Sequence, residues 1–307
     1  MQTEAGFFSW FSPLTVLFSI GRGVAFDPWS WNMSILSVDL ATRRWSDLGI
    51  VILDRAKPKN LPSRQAIGPL VIRETVETVV ACEIIAWNGS DLDENLRRGP
   101  IDPEILAGRL NHLCISRGIR VLMLDGPQAW KSHDNGLKHA RVSERQLNTA
   151  AKTGLPGMVK PITYRAFAEF CLDVYDALCR RGWKRLATSE QPTASGERIL
   201  VESYPCAAWK SLGIKPLPAK RKARVSDLAE AYSSLKTVVP FTVNRPPNHD
   251  QLQAIVGGLP GLALEERDAA GARIVGDAPR REDGHWREGY IVLPVAPKRT
   301  SGLRWMN

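Results

Sequence analysis

Two short apolar runs open the regular pattern of this chain. Residues 34–40 (SILSVDL) and 45–53 (WSDLGIVIL) are rich in strand formers, and the polar link Ala41-Thr42-Arg43-Arg44 between them predicts an antiparallel hairpin. A third strand is expected somewhere within residues 69–85, where the apolar stretch fits strand or helix. Asp102 followed by Pro103 reads as an N-cap and first helical position, and Ile105, Leu106, Leu110 and Leu113 recur at helical spacing as far as Gly118. Residues 119–124 are then almost continuously apolar, as in a parallel strand buried on both faces, and the run ends at Asp125.

Residues 128–161 are polar, basic and glycine-containing, too long for a simple connector, and are expected to form an inserted binding or gating loop. A helix resumes at about Tyr164, with Phe167, Phe170, Cys171, Val174 and Leu178 on one face, and stops at Gly182. Residues 199–204 give another strand, followed by Pro205 and a short helical segment. A basic, proline-rich link spans 215–224, amphipathic helix is expected near 225–235, a helix begins near Asn248, and GYIVLP supplies a final strand. A hairpin followed by strand and helix in alternation predicts an α/β protein whose mixed sheet is flanked by helices.

The N-terminal residues 1–32 stand apart from this pattern. Their apolar stretch 7–20 is preceded by Glu4 and by no Lys or Arg, unlike a secretory leader, and it is short for a membrane span. They read as an extension, poorly ordered or from a misassigned start, ahead of a single domain over 33–307. Composition adds that a sizeable core can form, since 44% of residues are hydrophobic and 24% charged. A formal charge of +9 favours an anionic partner, nucleic acid above all, and no membrane association is expected. The five cysteines form no CxxC pair and no zinc-ligand spacing, which fits a reducing, cytoplasmic setting.

Against this frame, Asp39 and Asp125 are the leading chemical candidates. Each interrupts or ends an apolar strand, where an unpaired carboxylate would cost several kcal/mol, so each requires a partner. Acids on adjacent parallel strands would share the crevice beyond the strand ends, and a divalent cation would relieve their repulsion. Asp250, in the first turn of a helix, is a third candidate, against the plainer reading of dipole complementation. Glu202 on the later strand is a fourth, against an ordinary ion pair with Lys or Arg. Such an oxygen-rich set suits Mg2+ or Mn2+ and metal-assisted phosphodiester hydrolysis, with Asp39, Asp125 and Asp250 as metal ligands. The chain has no GxxxxGK loop, no complete GxGxxG after a strand and no GxSxG elbow. His133, His139 and His249 read as surface or packing residues.

The segments SVDLATRRW, VLMLDGPQAW, ARVSERQLN with TGLPG, VESYPCAAWKSLGIKPLPAKRK, HDQLQAIVGG and REGYIVLP, in that order, resemble the domain-of-unknown-function 429 family. The likeness spans about residues 33–295 and rests on order and spacing, since no single segment is diagnostic. It implies an RNase H-like fold and nuclease activity, with Asp39 on the first strand, Asp125 on the fourth, Glu202 on the fifth and Asp250 on a late helix. RNase H-like enzymes usually carry one more acid on the first long helix or the neighbouring strand. Glu104 and Glu83 are candidates for it, and the sequence singles out neither.

Arg141 and Arg145 in the long loop, with Lys220, Arg221 and Lys222 after the later strand, are expected to contact phosphates, against a solvated basic surface. Trp130 and Trp209 would stack on bases or pack internally. Two further readings compete with the nuclease: a non-catalytic nucleic-acid- or protein-binding module on the same fold, and a small-molecule phosphotransferase, against which the missing glycine-rich phosphate loops argue.

Overall fold

The computed structural model describes residues 33–56, 79–87, 90, 92–149, 152–190 and 196–296. The expected extension at 1–32 and most of the span assigned to the third strand lie outside these described residues. Strand β1 (Ser34–Asp39) pairs antiparallel with β2 (Gly49–Ala56), which pairs antiparallel with β3 (Val79–Ile85). Helices α1 (Glu94–Arg98) and α2 (Pro103–Ser116) lead into β4 (Val121–Asp125), which lies parallel to β1. Asp102 caps α2 as the sequence predicts, accepting from the Ile105 amide at 2.9 Å.

The long segment after β4 is more ordered than a loop. It contains α3 (Val142–Leu147) and a small ribbon of β5 (Lys152–Thr153) with β6 (Val159–Lys160). Next come α4 (Arg165–Arg180), β7 (Lys184–Arg185) and β8 (Ile199–Ser203), with β8 parallel to both β4 and β7. Helices α5 (Pro205–Ser211) and α6 (Val225–Val238) precede β9 (Phe241–Val243), parallel to β3, and then α7 (His249–Glu266). The chain continues through β10 (Ala272–Val275), the ribbon of β11 (Arg280–Glu282) with β12 (His285–Arg287), and β13 (Ile291–Pro294).

The result is a nine-stranded mixed sheet in the order β10-β13-β8-β4-β1-β2-β3-β9, with β7 beside β8, flanked by helices as expected. Alternation along the strands divides the core into two. Ile35, Val51, Leu53, Val121, Met123, Ile199 and Val201 face α5, α6 and α7. Leu36, Val38, Ile50, Ile52, Leu122, Leu124 and Leu200 face α2 and α4. Burial on both faces explains the unbroken apolar run that leads to Asp125 in β4 and the continuous burial along β1.

One strand begins later than its apolar content suggests. Trp45–Asp47 form a 3-10 turn rather than the start of β2, because Trp45 plugs the core at 2% exposure while its neighbours turn outwards. Among the described residues, no helix is long and apolar enough to cross a membrane.

Candidate active site

Asp39 is the last residue of β1 and Asp125 the last of β4, and the parallel register sets them directly side by side. By alternation they share the sheet face of Ile35, Ser37, Val121 and Met123, the face covered by α7. Two glycines let α7 approach that face at backbone distance. A Cβ on Gly258 would stand 2.6 Å from Cβ of Ser37. Gly49 lies opposite Asp39 across the β1–β2 ladder, and a Cβ there would lie 2.2 Å from the Asp250 carbonyl oxygen. Glycine at position 49 thus allows the first turn of α7 to rest on β2 and brings Asp250 to the end of β1. Asn248 starts the helix by accepting from the Gln251 amide at 2.9 Å, and the Gln251 side chain accepts from the Asn248 amide at 2.9 Å.

The carboxyl pair is electrostatically loaded. Burial, then the charges of Asp125 and Asp250, push the Asp39 carboxyl well above the ordinary range, and a hydrogen bond with Asp125 adds to this. Burial also raises Asp125, to about 7; the hydrogen bond from Asp39 opposes the rise and the Glu202 charge adds to it. The two groups therefore share a proton near neutrality, the state expected of acids that face each other without a full counter-charge. Asp125 also borders a cavity of about 30 Å³, lined in part by Gly126, Arg141, Tyr164 and Glu202.

Asp250 is held differently. Burial alone would raise it, but hydrogen bonds with His249 and Lys220 outweigh burial and keep its carboxyl below the usual range. His249 Nδ1 lies 3.3 Å from Asp250 Oδ1, and His249 Nε2 lies 2.9 Å from the Pro218 carbonyl. Lys220 Nζ donates to Asp250 Oδ2 at 2.5 Å and to Asp47 Oδ1 at 2.9 Å. The sequence reading missed His249, Asp47 and Gly49 as parts of the site. Only His249 carried a signal, its position beside Asp250.

Glu202 falls on the other side of the sheet. It sits one residue before the end of β8, so alternation places it with Leu124 and Leu200 rather than with the aspartate pair. There it meets Arg141 in a two-pronged ion pair, Nη1 to Oε2 at 2.7 Å and Nη2 to Oε1 at 2.6 Å, and accepts from the Gln128 amide at 3.0 Å. Burial raises Glu202 above the ordinary carboxylate range, and Arg141 pulls it part of the way back. The ordinary ion pair weighed against a catalytic role is the arrangement found.

Arg141 requires the matching correction. At 1% exposure it is buried, and besides Glu202 it contacts Glu144 at 3.3 Å, so it neutralises carboxylates inside the protein instead of waiting at the surface for phosphate. Its guanidinium is held above its ordinary pKa because the charges of Glu202 and Glu144 outweigh burial. Arg145, Lys220, Arg221 and Lys222 are exposed, Lys220 being tied to the two aspartates. Trp130 and Trp209 are buried, Trp209 donating to Gln253 at 2.8 Å, and both pack rather than stack. Glu104 pairs with Arg180 and Arg181, and Glu83 with Arg117 at 3.1 Å. Neither of these acids joins the site through the contacts it makes.

Fold and site together define an α/β protein with a carboxylate pair at the carboxyl ends of adjacent parallel strands and a third acid delivered by a helix. Among the described residues, no group of three or more His, Cys, Asp and Glu side chains is gathered as a metal cluster. No protein-family model, curated protein or solved structure matches the chain.

Proposed function

We propose that this protein is a Mg2+- or Mn2+-dependent phosphodiesterase acting on nucleic acid, as its resemblance to the domain-of-unknown-function 429 family and to the RNase H-like fold implies. The observation that carries the reading is the register pairing of Asp39 with Asp125, two adjacent acids whose carboxyls are both raised above the ordinary range. A site short of positive charge in this way fits a divalent cation, whose charge would replace the shared proton. Asp39 and Asp125 would hold it, and Asp250 would join them on release from Lys220. Such a cation polarises a phosphoryl oxygen and lowers the pKa of bound water. The chain's own part is to hold the two carboxylates in register and to supply positive charge at the mouth of the site, from Arg221 and Lys222 beside Lys220.

The test is cleavage of single-stranded, duplex, hybrid and branched substrates with manganese, by the wild type and by Asp39→Asn and Asp125→Asn. Loss of cleavage in both folded variants supports the reading, and full activity in both removes these residues from the mechanism. A second reading, a binding module without catalysis, is favoured by the engagement of Asp250 with Lys220 and of Glu202 with Arg141. It predicts nucleic-acid binding indifferent to manganese.

A further inference from the structure

We infer that the Lys220 ammonium is a resident cation of this site, which a divalent ion must displace before Asp250 can bind it, and that the displaced lysine then turns to the phosphate. The inference rests on the metal reading above. Lys220 lies on the segment between α5 and α6, far in sequence from both of its partners, yet its ammonium bridges Asp47, from the turn after β1, and Asp250, from the first turn of α7. Its charge also reaches Asp39. One ammonium thus acts on acids from three separate elements at the carboxyl end of β1.

The two acids are unequal partners. Asp250 is nearly covered, with its side chain 8% exposed, whereas the Asp47 side chain is 36% and that of Lys220 50% exposed. The lysine therefore reaches inward from solvent and can withdraw without crossing the core. A second cation arriving at Asp250 would face both occupied oxygens and the repulsion of the ammonium. Once withdrawn, Lys220 would join Arg221 and Lys222, which are exposed beside it. A charge that closes the site in the cation-free state would then become one that receives the substrate's phosphate.

The test is a titration of the full-length protein with Mn2+, reading free ion by electron paramagnetic resonance, for the wild type, Lys220→Met and Lys220→Arg. Competition predicts that Lys220→Met binds Mn2+ more tightly, by about three- to tenfold for loss of a half-exposed ion pair shared by two acids. Lys220→Arg, which keeps the charge, should bind no more tightly than the wild type. Unchanged or weaker binding in Lys220→Met, with wild-type binding intact, overturns the competition and makes Lys220 a tether of its segment. If the wild type and Lys220→Met both fail to bind, the metal reading itself falls and takes this inference with it. Thermal melting of each variant in the absence of metal separates a change in affinity from a loss of fold.

Discussion

Replacing Arg141 with methionine should unfold the protein more readily rather than simply weaken its grip on nucleic acid. The substitution keeps much of the side-chain length but removes a guanidinium at 1% exposure that makes two short bonds to Glu202 and a longer one to Glu144. It leaves two buried carboxylates short of a counter-charge. Glu202 retains the Gln128 amide, and Glu144 retains the backbone amides of Arg141 and Thr153. Breaking a buried pair by removing one partner costs about 3–5 kcal/mol. For a chain of this size that lowers Tm by about 10 °C. Glu202→Met alone should be costly for the converse reason, whereas the double variant should lose less than the two single changes summed. Urea denaturation of all four proteins measures the coupling directly. A fall below about 1 kcal/mol for Arg141→Met, combined with weaker nucleic-acid binding at unchanged Tm, would restore Arg141 as a phosphate contact and refute its internal role.

Other consequences concern the aspartate site. Gly49→Ala puts a methyl 2.2 Å from the Asp250 carbonyl oxygen, so the first turn of α7 must retreat; the expected loss is about 1–3 kcal/mol in urea denaturation, with weaker Mn2+ binding, and an unaltered variant would show that α7 yields freely. Because Asp125 titrates at about 7 and Asp39 is also raised, the native state keeps protons that the unfolded chain has released above about pH 4. Their contribution to stability is therefore complete below pH 4 and lost as pH rises towards 7, so the metal-free urea midpoint should fall from pH 5 to pH 8, and fall less in Asp125→Asn. A midpoint equally steep in both proteins would contradict the proton-sharing pair. Asp39→Asn should raise the metal-free Tm by removing a carboxyl disfavoured by burial and by the charges of Asp125 and Asp250, a gain that an unchanged melting curve would disprove. Arg221→Ala with Lys222→Ala should reduce the salt slope of nucleic-acid binding by up to about 2, and an identical slope would take both residues off the phosphate path.

Much of the sheet was legible because its signals are local. The apolar runs of β1 and β4, the Asp102-Pro103 start of α2 and the Pro246-Pro247-Asn248 approach to α7 each carry their own punctuation. Asp39 and Asp125 stood out because strand ends are where acids among apolar residues become conspicuous, and the parallel register then set them together. Glu202 shows what was not used: its place one residue before the strand end, read with period-two alternation, already assigns it to the opposite face. Arg141 was unreadable because its partner is 61 residues away and only the folded segment after β4 brings them together. The same holds for Lys220 and Asp47, 173 residues apart, and for Gly49, whose role depends on a helix that begins 200 residues later. Trp45 misled because a large apolar residue in a turn looks like the start of a strand.

The central claim is that Asp39 and Asp125 form one cation site. Isothermal titration of the wild type, Asp39→Asn and Asp125→Asn with Mn2+ tests it most directly. The account predicts binding by the wild type and loss of at least about tenfold in affinity in each variant, with the fold retained. Equal affinity in all three proteins, or no carboxylate-dependent binding in the wild type, would contradict it.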